Sequence, residues 1–325
     1  MSFSAQVGIF VLISLGVTFA VALGLIASQR PGPLPESQDG LAFDRLLNRV
    51  QGSAEGLERT TYGTPPMPLT VAGRGADKPI LVLVHGSGWD GTQFDGLAAR
   101  LADAAEVRVP TLRGHGPGPE RRGDVDYIGQ LEDDLAALVS DAGDRDVVFV
   151  GHSSGGGLVV RMAGGRHGQR MDAAVLLAPF LKYNAPVTRA NSGGWAHPLT
   201  RRIIGLSILN AFRIHLLDRL TVIQFAMPRR VLDGPMGGHA TTAYSWRLNT
   251  SFAPRGDYLS DVAALPPFVL VAGAEDEAFV AEGYEPLLTQ ATTKGRYQVL
   301  PGVGHLDLVD APQTETLIRE VLHGL

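Results

Sequence analysis

Residues Val147–Val160 read VVFVGHSSGGGLVV, and this stretch decides the fold. A buried strand accounts for the Val-Val-Phe-Val. It does not account for Gly151, Gly155, Gly156 and Gly157 gathered around one hydroxyl. Gly151-His152-Ser153-Ser154-Gly155 fits G-x-S-x-G, set between a strand and the apolar helix GLVVRMA. A tight strand-to-helix turn at this point strains the serine backbone and projects its Oγ outward. Side chains two residues to either side would collide with neighbouring elements, so glycine stands there. Ser153 is the candidate nucleophile. Ser154, at the helix start, is left to supply a backbone N–H.

Outward from this turn, strands alternate with helices. Ile80–Gly86 (ILVLVHG), Ala173–Pro179 (AAVLLAP) and Phe268–Asp276 (FVLVAGAED) are further short, β-rich apolar runs. Continuous rather than alternating hydrophobicity marks strands covered on both faces, as in a parallel sheet. Residues 130–142, QLEDDLAALVSDA, have helical spacing with Leu131, Leu135, Leu138 and Val139 on one face. The pattern predicts an α/β fold built on a doubly wound, mostly parallel sheet. Several strands end in polar or Gly-rich turns, where open α/β sheets bind ligands.

A serine hydroxyl needs a base, and the base needs an orienting carboxylate. His305 stands in a Gly-rich loop, GVGHLDL, after the strand-like YQVL. Asp276 lies three residues past Gly273 at a strand end, flanked by Glu275 and Glu277 as competitors, while Asp307 stands too close to His305 in sequence for the usual geometry. Ser153, Asp276, His305 is also the chain order this architecture requires. Two N–H donors must meet the developing oxyanion. Ser154 N–H is one, and Ser87 N–H, in HGSGW between Gly86 and Gly88, is the other. His85, His115 and His152 read as structural hydrogen-bonding residues.

Composition narrows the chemistry. The 325 residues carry a net charge of −5 and no basic stripe, so a nucleic-acid partner is not expected. There are no cysteines, which excludes disulfides, thiolate catalysis and zinc-thiolate sites. The nine histidines show no metal-ligand spacing, so neither metal nor other cofactor is expected.

The N-terminus is anomalous. Val7–Ala27 is a 21-residue stretch without a charge, long enough to cross a bilayer as a helix. It exceeds the apolar core of a secretory signal, and no Lys or Arg precedes it. An uncleaved anchor over residues 1–29 is expected, with a cleaved signal and a secreted or periplasmic domain as the alternative. Arg30, Arg45 and Arg49 follow the helix, which places the main domain in the cytoplasm by the positive-inside rule. Residues 30–56, with Pro31, Pro33 and Pro35, read as an extended spacer holding the domain off the bilayer.

Taken together, LVLVHGSG, VPTLRGHGPG, VVFVGHSSGG, VLVAGAEDEAF and GVGHLDL resemble the α/β-hydrolase superfamily. Within it they resemble the branch of monoacylglycerol lipases, lysophospholipases and serine-aminopeptidase-like hydrolases. The resemblance implies a Ser153, Asp276, His305 triad with Ser87 and Ser154 as oxyanion donors, in a core of residues 57–181 and 259–325. Residues 182–258 match no motif and sit where that family inserts its cap, here expected to be helical. Within them, Ile203, Ile204, Ile208, Leu209, Phe212, Leu216 and Leu217 interleave with Arg201, Arg202, Arg213 and Arg219. Such a face packs on the core, contacts acyl chains or a membrane surface, or does both. The expected function is a serine hydrolase of carboxylic esters, with monoacylglycerol or lysophospholipid as substrate and the membrane as partner. An aminopeptidase-like peptidase and a non-catalytic binding module are the alternatives.

Overall fold

The computed structural model describes residues 2–34, 41–43, 47 and 55–325. Strands β1 (Leu57–Tyr62), β2 (Met67–Ala72), β3 (Ile80–Val84), β4 (Glu106–Pro110), β5 (Val147–His152), β6 (Ala173–Leu177), β10 (Phe268–Gly273) and β11 (Gly295–Leu300) form one sheet. Its order is β1-β2-β4-β3-β5-β6-β10-β11. The β1–β2 and β2–β4 pairs are antiparallel, and every pair from β4 to β11 is parallel. The four apolar runs of the sequence are the central strands β3, β5, β6 and β10, each buried along its whole length. Helices on both faces exclude water from them, which is why their hydrophobicity does not alternate. The helix expected over 130–142 is Gln130–Leu138; Val139 caps it and remains buried.

The cap is inserted between β6 and β10, and it is not purely helical. Alongside the helix Thr200–Ala211 it folds β7 (Ala196–Pro198), β8 (Thr221–Phe225) and β9 (Ala243–Ser245) into a three-stranded antiparallel sheet. The expectation missed it because β8 buries Val222 and Phe225, three residues apart, within an oily run that also fits a helix.

Where it is described, the segment expected as a spacer makes contacts of its own with the domain. The N-terminal helix, Phe3–Ala27, runs its C-terminal end against the cap helix, burying Ala22 and Ile26 with Leu206, Leu209 and Val222. Gly205 permits this approach: a Cβ there would stand 2.5 Å from the Ala22 carbonyl oxygen. The Arg201 N–H donates to Gln29 Oε1 at 2.8 Å. Gly32 exchanges two hydrogen bonds with the Gln224 amide, at 3.1 and 2.8 Å. The chain leaving the helix is thus fastened to the cap. Leu41 and Phe43 belong to the main core, with the Phe43 ring tilted against Trp89 and Trp195. Arg45 and Arg49 lie outside the described residues.

Candidate active site

The turn after β5 has the strain that its glycines imply. Ser153 sits at φ 55°, ψ −122°, a region a side chain-bearing residue occupies only when its surroundings enforce it. They do so through three backbone bonds. The Ser153 N–H donates to Leu177 O at the end of β6, and Ser153 O accepts from the Gly157 and Phe180 N–H groups. Gly155 lies so close to β3 that a Cβ would be 2.2 Å from the Val84 carbonyl oxygen. The helix Ser154–Ala163 starts directly after Ser153, so its first N–H groups open beside the hydroxyl.

His305 and Asp276 meet behind this turn. The His305 Nδ1–H donates to Asp276 Oδ2 at 2.7 Å, both side chains being buried. Asp276 Oδ1 accepts the Ala278 and Phe279 N–H groups, each at 2.8 Å. Burial pushes the Asp276 carboxyl up, but the His305 ring and these N–H donors outweigh it and hold the group below its ordinary value. Glu277, a competitor in the sequence, accepts the His305 backbone N–H at 2.8 Å. Adjacent carboxylates therefore hold one residue by its ring and by its main chain.

Ser153, His305, Ser87 and Ser154 line one cavity of about 60 Å³, and Ser87 Oγ lies 2.5 Å from Ser154 Oγ. The remaining walls are mostly apolar, including Phe180, Trp195, Ile223 and Phe279, with Asn249 from the cap as a polar exception. A larger cavity of about 370 Å³ lies beside β1 and β2, but none of these four residues reaches it. The chemistry, not the volume, locates the site.

The three histidines expected to be structural, His85, His115 and His152, brace the site from behind. His152 donates from Nε2 to the His305 carbonyl at 3.0 Å, and its Nδ1 lies 3.3 Å from Gln93 Nε2. His85 donates from Nδ1 to Gly86 O and accepts the Leu112 N–H at Nε2. His115 donates from Nδ1 to Arg113 O, leaving Nε2 to accept the Tyr244 hydroxyl at 2.7 Å. Tyr244 in turn accepts the Gly88 N–H at 2.8 Å. Burial, followed by the neighbouring imidazole, lowers His115 and His152 to about 3, so both stay neutral, as one-donor, one-acceptor bonding requires. Both neighbours of Ser87 are thus pinned by buried groups, Gly86 through its carbonyl and Gly88 through its N–H. Tyr244, Asn249 and the backbone role of Glu277 were not foreseen. Tyr244 and Asn249 lie in the motif-free cap; only the Glu-Asp-Glu cluster around Asp276 hinted at a second acceptor.

The comparisons with known proteins define the class. The sequence profile of the alpha/beta hydrolase family matches residues 81–317, and the chain belongs to that family. It is 26% identical over 262 residues to a probable protein phosphatase methylesterase 1 of Caenorhabditis elegans, covering 74% of this chain and 67% of that one. The chain spans 26% of the length of the uncharacterised mycobacterial proteins it also matches. Among solved structures it superposes on a membrane phospholipase A described as a bacterial virulence factor, with TM-score 0.59 and 18% identity over 99% of this chain and 98% of that one. It also superposes on a soluble variant of Saccharomyces cerevisiae monoglyceride lipase, with TM-score 0.61 and 15% identity over 90% and 99%. At these identities the structural likenesses establish the fold alone.

Proposed function

We propose that the chain is a membrane-anchored serine hydrolase that cleaves carboxylic esters of lipid-like substrates, monoacylglycerols or lysophospholipids, through an acyl-enzyme. One observation carries this reading: His305 Nδ1 is engaged by Asp276, and His305 lines the same cavity as the strained Ser153. His305 Nε2 takes the Ser153 proton as Oγ attacks the ester carbonyl. The oxyanion is met by the Ser87 and Ser154 N–H groups, each worth about 3–4 kcal/mol in the transition state. The imidazolium then protonates the leaving alcohol. Water, deprotonated by His305, releases the acid and restores the serine. No metal or cofactor takes part.

The apolar walls, the N-terminal helix and the two lipase-class structural neighbours support a lipid-like substrate. The small cavity favours a second reading, a short-acyl or methyl ester, because a long chain requires the cap to open. No carboxylate stands among the described residues lining the cavity, so nothing supports an amine-binding peptidase subsite. The test is a panel of esters from acetyl to long acyl, including a monoacylglycerol, with the full chain and its Ser153→Ala variant. Ser153-dependent turnover that rises with chain length supports the lipid reading. Turnover confined to short esters selects the second. No turnover above the variant defeats both.

A further inference from the structure

The N-terminal helix has two unlike parts. No residue from Phe3 to Phe19 is buried, whereas Ala22 and Ile26 are packed into the cap. The helix Thr200–Ala211 runs antiparallel to it. Arg201 meets Gln29 at one end, and Phe212 meets Phe19 at the other with ring centroids 5.1 Å apart. Cleaving the chain after this helix would uncover Leu206, Leu209 and Val222, now at most 3% exposed. The cap is built to keep the helix.

That packing limits what remains for a bilayer. From its cap at Ser2, the free part runs from Phe3 to Thr18, or about 24 Å at 1.5 Å per residue. A hydrocarbon core is about 30 Å thick, so the free part alone falls short. The turn after the cap helix stands level with Phe19, where the shortfall begins. There Leu216, Phe212 and Ile214 are 75%, 45% and 37% exposed, interleaved with exposed Arg213 and Arg219. Asp218, the carboxylate of this turn, is buried and turned inward onto Asn210 and His215. The turn therefore presents apolar side chains and cations outward, which is how an interfacial segment meets acyl chains and phosphates.

We infer that residues 3–18 lie within the bilayer without spanning it alone, that residues 19–27 form a stalk fixed to the cap, and that the turn Phe212–Leu216 sits in the phospholipid interface, where it makes up the shortfall. This rests on the anchor reading above and specifies which surface of the cap meets lipid.

The absence of native cysteines allows a direct test. Single cysteines replace Leu216, Leu12 or Tyr183 in the full chain, Tyr183 being a cap residue 79% exposed in another segment. Each carries an environment-sensitive fluorophore in phosphatidylcholine vesicles. Retained hydrolysis of a soluble ester shows that each variant is folded. At Leu216→Cys and Leu12→Cys, a blue shift and loss of emission to lipid-borne quenchers are expected. Tyr183→Cys should instead be quenched by aqueous iodide. A quenched Leu12 label with a water-exposed Leu216 label keeps the anchor and overturns the seated turn. A Leu12 label outside the lipid defeats the anchor reading itself, and this inference with it. A Leu216 label shielded from both quenchers marks a contact with a second copy, which also overturns it.

Discussion

Two glycines bring backbones together in this molecule, at opposite ends of its architecture. Gly155 lets the helix after Ser153 approach β3, where a Cβ would stand 2.2 Å from Val84 O. Gly205 lets the N-terminal helix approach the cap, where a Cβ would stand 2.5 Å from Ala22 O. The first contact joins a helix to a strand buried along its whole length and cannot shift without moving Ser153. The second lies at a seam between two helices, one largely exposed, and can open without disturbing the sheet. Similar steric demands thus carry different burdens: one sets the geometry of the turn at Ser153, the other sets how the N-terminal helix is joined to the cap.

Substitutions can break this contrast or sharpen it. Ser153→Ala sets the scale, with turnover expected to fall at least about a thousandfold while thermal unfolding barely moves. Gly155→Ala should abolish most turnover and also lower stability by about 1–3 kcal/mol, read by denaturant titration, because the obstructing atoms are Val84 and His85 backbone rather than a flexible side chain. Tyr244→Phe removes the acceptor for a buried N–H, worth about 1–3 kcal/mol. We expect kcat to fall tenfold or more, roughly, with KM little changed. Affinity for a boronate transition-state analogue should weaken in parallel, a change that general loosening of the cap would not reproduce. Gly205→Leu should lower the unfolding midpoint of the full chain by prising the seam open, at a cost of about 1–3 kcal/mol. Hydrolysis of a soluble short ester should survive it. An equal loss of activity in Gly205→Leu and Gly155→Ala would erase the contrast.

The smallest effect expected is a pH dependence at the cap–core latch. His239 of the cap bonds buried Asp90 of the core at 2.6 Å and stacks on Trp89. The Asp90 hydrogen bond and charge raise His239 despite burial, with Asp95 adding to the rise and Arg122 opposing it. Burial pushes Asp90 up, but His239 and Thr92 outweigh it and lower it overall. A raised His contributes fully below its ordinary 6.5 and loses that contribution as pH rises through its folded value. A depressed Asp contributes above its ordinary 3.8 and loses it as pH falls through its folded value. The latch should therefore stabilise most between those limits, and His239→Gln should flatten the upper limb of unfolding midpoint against pH.

Legibility in the sequence followed the locality of the physics. Ser153 was readable because strand, turn and helix are contiguous, and each glycine answers a local collision. Asp276 and His305 were readable as strand-end residues in the chain order that the fold demands. Their supports were not. Glu277 serves His305 through its main chain, which leaves no periodic mark, and Tyr244 reaches Gly88 from 156 residues away. The cap's sheet was hidden because three short strands in an apolar run carry no distinctive period. Gly205 looked like an ordinary helical glycine, since the surface it fits comes from the far end of the chain.

The seam has a practical consequence for anyone preparing this hydrolase in soluble form. Trimming at residue 29, the boundary the hydropathy suggests, removes a wall of the cap along with the greasy helix and leaves Leu206, Leu209 and Val222 facing water. Trimming before Phe19 discards the exposed apolar stretch while keeping the wall in place.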